Sequence, residues 1–183
     1  MKTFYHADRN LSLTAGQELV VNERGLSPFG SVYWSHIQSE PPPGSDEAVI
    51  REYCAEQALH MVGFLWSRHC CVFAAETIQE AVAFARAILP VPDHPVPIYE
   101  IFADRASKHD MTWLDYRVDV DRLIQYCCEY WRGTASNHQP ISGPRKPPQW
   151  EILIPLPAQV GRLVATVKVS NGPGTKKLIQ ALG

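Results

Sequence analysis

The residues best suited to chemistry fall in three short segments. Gln149-Trp150-Glu151 leads directly into the apolar run Ile152-Leu153-Ile154-Pro155. A carboxylate fixed at the start of a strand, where water is scarce, can stabilise positive charge developing on a bound reactant. Gln149, two residues earlier, can orient an attacking nucleophile. Near the N-terminus, Phe4-Tyr5-His6 leads a strand-like run, and a neutral imidazole at His6 offers a hydroxyl group one donor and one acceptor. The third segment, His69-Cys70-Cys71, is a patch of soft ligands. Strand alternation would send these adjacent side chains to opposite faces, which favours buried strand cysteines. No Cys-x-x-Cys or His-Glu-x-x-His spacing is present, so no dedicated metal site is expected.

Other residue types can hold a ligand rather than react with it. Tyr33, Phe73 and Phe84 can stack on a planar ring. Arg9 and Arg51 carry the guanidinium fork that matches phosphate oxygens. Plainer readings stand beside these. Glu151 also reads as a strand-edge residue in water, His6 as a satisfied histidine near the core, and the aromatic residues as core packing. Arg51 also reads as part of a solvated helix face, and Gln149 as a polar loop residue.

These side chains need elements to position them. Thr3–Ala7 and Glu18–Asn22 read as strands, and the β-branched, aromatic stretch Ser31–Ile37 as a third. Pro41-Pro42-Pro43-Gly44 marks a loop. Asp46–Leu65 has helical spacing, with Ile50, Cys54, Ala58, Met61 and Leu65 on the apolar stripe and Glu52 and Glu56 off it. His69–Ala74 reads as a buried strand. Thr77 and Glu80 form a capping box opening a helix to about Leu89, with Ala81, Phe84, Ala85 and Ile88 inward, closed by Pro90 and Pro92. Pro97–Ala103 alternates as a strand, and Asp119–Trp131 is a third helix. Arg132–Gln149 lacks periodicity and holds Pro140, Pro144, Pro147 and Pro148. Glu151–Pro155 and Val160–Val169 are strands, and the tail from Ser170 ends in a short helix. This order predicts a single α+β domain: a mixed, mostly antiparallel split sheet with about three helices.

Composition narrows the functional classes. The 183 residues carry a formal net charge of −2, with 45% hydrophobic and 20% charged residues, as expected of a globular domain. That balance argues against nucleic-acid binding by broad electrostatics. No apolar run is long enough for a bilayer span, and Met1–Arg9 lacks a signal-peptide core, so no membrane partner and a cytoplasmic site of synthesis are expected. The five cysteines, with two adjacent pairs, do not form a disulfide framework.

Taken together, the segments resemble the ADP-ribosyltransferase superfamily. Members of the diphtheria-toxin and rifampin-transferase branches open with a Tyr-His strand followed by a Leu-x-x-Gly step, similar to Tyr5-His6-Ala7 and Leu13-x-x-Gly16. Val72-Phe73 followed by Ala83-Phe84-Ala85 is similar to the family's strand and alanine-aromatic-alanine helix. Ile98-Tyr99-Glu100-Ile101 resembles a later strand. Toxin-type members carry their catalytic glutamate in Gln/Glu-x-Glu at the start of an apolar strand, which Gln149-x-Glu151 with Ile152-Leu153-Ile154-Pro155 closely resembles. The chain departs from the family in two respects. Ala7-Asp8 stands where glycine or threonine usually follows Tyr-His, and the toxin group's Ser-Thr-Ser strand motif is absent.

The resemblance implies NAD as substrate and transfer of ADP-ribose to an acceptor. It assigns Glu151 to stabilising the oxocarbenium-like state, Gln149 to orienting the acceptor, and His6, Tyr5, Arg9, Tyr33, Arg51, Phe73 and Phe84 to holding NAD. In the rifampin-type arrangement an aspartate, here Asp110 or Asp115, takes the carboxylate role. Arg132–Pro148 corresponds to the target-recognition loop, where Arg145-Lys146 with Trp150 can meet an acidic or nucleic-acid acceptor. The implied protein is a mono-ADP-ribosyltransferase of a bacterial or phage toxin or effector type. Its acceptor is a protein or nucleic acid, and its partner an immunity or antitoxin protein. Two alternatives stand: an NAD glycohydrolase on the same fold, and a non-catalytic module whose Pro-rich loops bind a partner protein.

Overall fold

The computed structural model describes residues 1–87, 92–138 and 147–168. Among these, seven strands form two mostly antiparallel sheets. The first has the order β1 (Lys2–Ala7), β4 (Val96–Ala103), β7 (Ala158–Val167), β2 (Glu18–Leu19). The second has the order β3 (Cys71–Ala74), β6 (Trp150–Pro155), β5 (Ser107–Asp110). Their backbones pair where Tyr5 N–H donates to Ala75 O at 3.0 Å and Ala75 N–H to Tyr5 O at 2.8 Å. This is the split, mostly antiparallel α+β sheet expected from the sequence.

The register turns the apolar faces of both sheets inward. Phe4 pairs with Ile101 across β1 and β4, and Ile101 with Val160 across β4 and β7. Phe4, Ile101, Ile152, Ile154 and Val160 then pack as one cluster between the sheets. β4 and β7 slip register around Tyr99, and Gly161 lies beside that irregularity. Any larger residue at 161 would bring its Cβ to 2.7 Å from Glu100 Cβ and 2.8 Å from the Phe102 ring, so only glycine lets the strands approach this closely.

Among the described residues, four helices flank the sheets: α1 (Pro28–Tyr33), α2 (Glu47–Val62), α3 (Ile78–Ala87) and α4 (Val120–Trp131). α2 starts where Asp46 accepts from Ala48 N–H at 2.7 Å, and it ends at Gly63 in the left-handed conformation, φ +67°. α3 has the expected capping box: Glu80 N–H donates to Thr77 Oγ1 at 3.1 Å, and Thr77 N–H to Glu80 Oε2 at 3.0 Å. α3 covers the first sheet through Ala81 and Ala85, which pack with Val96, Ile98 and Val167. α2 and α4 pack together over the second sheet, with Cys54, Ala55, Ala58 and Leu59 against Leu123, Cys127, Tyr130 and Trp131.

The structure corrects three expectations and adds one strand that the sequence did not show. Ser31–Ile37 is not a strand; α1 and a 3-10 turn, Trp34–His36, occupy this stretch. Ser27 caps α1 by accepting from Gly30 N–H at 3.1 Å, and Pro28 pre-sets its first turn. The buried face of α2 includes Glu52, Ala55, Glu56 and Leu59, an i, i+3, i+4, i+7 stripe, while Met61 and Leu65 are 70% and 84% exposed. β2 is two residues long, and β5 forms from the polar stretch Ser107–Asp110. Ile88, Pro90, Pro140, Pro144, Arg145, Lys146 and the tail from Ser170 lie outside the described residues.

Candidate functional site

Tertiary position departs most from residue type at the junction of the two sheets. Alternation along β1 puts Phe4 and His6 on one face and Tyr5 on the other. Phe4 packs between the sheets, whereas Tyr5 packs against the cluster under α3. His6 Nδ1 lies 2.5 Å from Phe73 O on β3, so a residue of the first sheet is tied to a residue of the second. Burial lowers the His6 pKa, partly offset by the Phe73 carbonyl and Asp8. The neutral ring donates from Nδ1 to that carbonyl and presents Nε2 as an acceptor.

Phe73 passes the contact inward. Its ring lies 4.7 Å from Phe29 of α1, edge to face, and Phe29 lies 5.0 Å from Tyr33. The Arg68 guanidinium carbon sits 4.7 Å from the Phe73 ring centre and 5.8 Å from that of Phe29. Arg68 belongs to a 3-10 turn, Arg68–Cys70, capped by Ser67, which accepts from His69 N–H at 3.1 Å. α1 presses on this turn, since Ser27 N–H donates to His69 O at 2.8 Å.

Arg68 is the hub of a buried charge cluster. Its Nε donates to Glu52 Oε2 at 3.0 Å, and its Nη1 donates to Tyr130 Oη and Glu151 Oε1. Tyr130 Oη also donates to Glu151 Oε1, at 2.8 Å. Glu151 is only 2% exposed and Glu52 is fully buried. Buried charges survive only when paired and hydrogen-bonded. Burial pushes the Arg68 pKa down, but Glu151 and Glu52 carry it well above its ordinary value. Burial likewise pushes Glu52 up, yet Arg68 and then Arg51 hold it below the ordinary carboxylate range. Burial, outweighing Arg68, raises Tyr130 well above its usual value, so the hydroxyl stays protonated and donates. Two carboxylates therefore flank one guanidinium at the centre. Arg51, on the rim, lies 3.3 Å from Glu52 and 3.8 Å from Asp115.

A second layer fixes the hub. His109 of β5 stacks on Tyr130 at 4.7 Å, with Nδ1 2.8 Å from Tyr130 O and Nε2 2.7 Å from Ser107 Oγ. Burial lowers its pKa, so Nδ1–H donates to the carbonyl and Nε2 accepts from Ser107. On the other side, Ser67 Oγ donates to Glu56 Oε2 at 2.6 Å, and His69 Nε2 stands 3.9 Å from that carboxylate.

The structure brings His6, Tyr33, Phe73 and Glu151 into one contact network, with Arg51 one carboxylate away from Arg68. Tyr5 faces away from His6. Phe84 is half-buried on α3 and outside these ring contacts. Arg9 follows β1 beside Asp8, whose carboxylate accepts from Leu13 N–H at 2.8 Å and Ser12 Oγ at 3.2 Å and so folds the chain between β1 and Leu13. Asp110 is committed to backbone groups: it accepts from Thr112 N–H, Ser136 N–H and Gln149 N–H at 3.0, 2.7 and 2.9 Å. It thereby ties together both ends of the Arg132–Pro148 loop, whose residues 139–146 lie outside the described set. Trp131 anchors α4 to α2 by donating to Ala55 O at 2.7 Å. Sequence reasoning missed Arg68, Glu52, Tyr130, His109 and Phe29. The available signals were Ser67 as a cap before Arg68 and the helical spacing of Glu52 with Ala55, Glu56 and Leu59.

Among the described residues, no group of three or more His, Cys, Asp and Glu is placed to hold a metal ion, and no helix is long and apolar enough to cross a membrane. Compared with known proteins, the chain matches no family model and none of the curated proteins.

Proposed function

We propose that the chain is an NAD-dependent mono-ADP-ribosyltransferase in which Glu151 is the reacting carboxylate. One observation carries the reading: the unbroken path from His6 through Phe73 and Arg68 to Glu151 across the junction of the sheets. It joins the Tyr-His strand and the Gln-x-Glu strand, two of the motifs that carry the family resemblance.

The chemistry follows from the charges. Cleavage of the nicotinamide–ribose bond leaves its electron pair on nicotinamide and positive charge on the sugar. Glu52 is held between Arg68 and Arg51, and the Glu151 carboxylate is the anion that meets the positive charge on the sugar. Arg68 and Tyr130 both bond to Oε1 of Glu151, and Oε2 is the oxygen that takes the ribose 2′-hydroxyl. His6 Nε2 accepts from a ribose hydroxyl. The nicotinamide enters past Phe29 and Tyr33 of α1 and stacks on an aromatic face. The acceptor then attacks the sugar carbon from the face opposite the departing nicotinamide and loses its proton to solvent. Gln149 holds that acceptor, and the acceptor itself is a protein or nucleic acid.

Incubation of the protein with NAD labelled in the adenylate portion, alone and with a cell extract, tests the reading. Label on a macromolecule together with released nicotinamide is the expected result. Free ADP-ribose with no labelled macromolecule would instead make the protein a glycohydrolase. Neither product, together with no heat of NAD binding, would leave the non-catalytic module. Glu151→Gln is expected to lower turnover at least 100-fold at a temperature where its thermal unfolding shows it folded.

A further inference from the structure

Strand alternation would separate Cys70 from Cys71, but the strand begins only at Cys71. Cys70 is the last residue of the Arg68–Cys70 turn, and a turn does not send successive side chains to opposite faces. Both sulfurs therefore lie against one atom: Ser67 O is 3.0 Å from Cys70 Sγ and 3.2 Å from Cys71 Sγ. The two thiols also hydrogen-bond to each other. Their exposure differs, Cys70 being half-buried and Cys71 1% exposed, so a reagent from solvent meets Cys70 first. The Cys71 thiol beside it, outweighing burial, holds Cys70 at about 7, while Cys70 and burial push Cys71 up. Cys54, Cys127 and Cys128 are free thiols buried in the α2–α4 core.

We propose that Cys70–Cys71 is a hydroperoxide-reactive dithiol, with Cys70 the attacking sulfur and Cys71 the resolving one. The Cys70 thiolate attacks the terminal oxygen of a hydroperoxide. The O–O bond breaks, leaving a sulfenic acid on Cys70 and an alkoxide that takes up a proton as the alcohol. Cys71 then gives its proton to solvent and attacks the Cys70 sulfur. The S–O bond breaks, and the departing hydroxide is protonated to water. In sum, two thiols lose two electrons and two protons, and one hydroperoxide becomes an alcohol and a water. Neighbouring Cα atoms are about 3.8 Å apart, whereas bridged cysteines usually sit about 4.4–6.8 Å apart, so the bridge forms in a tight ring and is easily reduced. Its backbone is also pinned: Cys71 N–H donates to Arg68 O, and Leu156 N–H donates to Cys70 O at 3.1 Å. The bridge must therefore disturb the turn that carries Arg68 and His69.

The sequence provides a direct readout. Trypsin cuts after Arg68 and Arg86, and the fragment His69–Arg86 contains Cys70 and Cys71 and no other cysteine. The folded protein is treated with one equivalent of hydrogen peroxide, denatured, alkylated, digested and weighed. The expected product is His69–Arg86 lighter by two hydrogens and without alkyl groups, regaining both alkylation sites when dithiothreitol precedes alkylation. In Cys71→Ser, dimedone should trap a sulfenic acid on Cys70. The proposal is overturned if the wild-type fragment keeps both alkylation sites, if Cys70 goes to sulfinic acid with no bridge, or if only the other three cysteines react.

Discussion

Tyr130 is the residue on which the position of Glu151 depends. Its protonated hydroxyl donates to Glu151 Oε1 and accepts from Arg68, so it closes a three-membered buried ring. Tyr130→Phe keeps the ring packing with His109 and Trp131 and removes one oxygen. Leaving a buried charged group one partner short costs about 1–3 kcal/mol. Urea unfolding should show that loss, and any turnover of NAD should fall as Glu151 loses a fixed position. An unchanged unfolding midpoint would mean that Arg68 alone holds the carboxylate. Glu151→Gln is the harsher change, because breaking a buried ion pair costs about 3–5 kcal/mol. At this scale the sequence was legible in part. Glu151 stood out because a charged residue opens an apolar strand, and His6 because a histidine follows two aromatic residues. Arg68 and Glu52 did not, since charged residues on a turn and a helix normally face water, and it is pairing across the fold, with each other at a separation of sixteen positions and with Glu151 and Arg51, that lets both be buried.

At the scale of elements, α1 packs on the Arg68–Cys70 turn, and Gly30 sets how closely. A Cβ on Gly30 would fall 2.1 Å from His69 O, a backbone atom that cannot swing aside. Gly30→Ala must therefore lift α1 from the Arg68–Cys70 turn and move Phe29 away from Phe73 and Arg68. Overpacking of this kind costs about 1–3 kcal/mol. A lowered melting temperature with increased reactivity of Cys70 toward a thiol reagent is the expected outcome; wild-type values for both would show that the contact yields without strain. The element also shows why parts of the fold were readable. The α3 start was legible because Thr77 and Glu80 cap each other using only local atoms. The Ser27-Pro28 start of α1 was equally local, but the β-branched and aromatic residues after it pointed to a strand, and the cap prevailed. β5 could not be read from Ser107-Lys108-His109-Asp110, because its strand character comes from pairing with β6, with His109 opposite Glu151.

For the whole molecule, the buried ionisable groups set how stability follows pH. Burial lowers the pKa of His6, His69 and His109 in the folded protein. The groups facing them do not reverse this: Asp8 for His6, Glu52, Glu56 and Arg68 for His69, and Glu151 and Arg68 for His109. In the unfolded chain these rings titrate near about 6.5. Below that pH the unfolded state binds more protons than the folded state, so the histidine contribution is complete above about 6.5 and is lost as pH falls. Glu52 acts in the same direction at lower pH. Its folded pKa is depressed, so its contribution is present above the ordinary carboxylate value and is lost as acid protonates it. The two windows add, and the protein should lose stability progressively from neutral pH downward. Urea titrations from pH 7.5 to 5.5 should show a falling midpoint, with a slope of up to about 1.4 kcal/mol per pH unit for each histidine that remains neutral when folded. His109→Gln keeps a side chain able to bond Tyr130 O and should flatten that slope even though it lowers stability at pH 7.5. A midpoint that stays level across this range would mean that the three rings gain protons in place without cost to the fold.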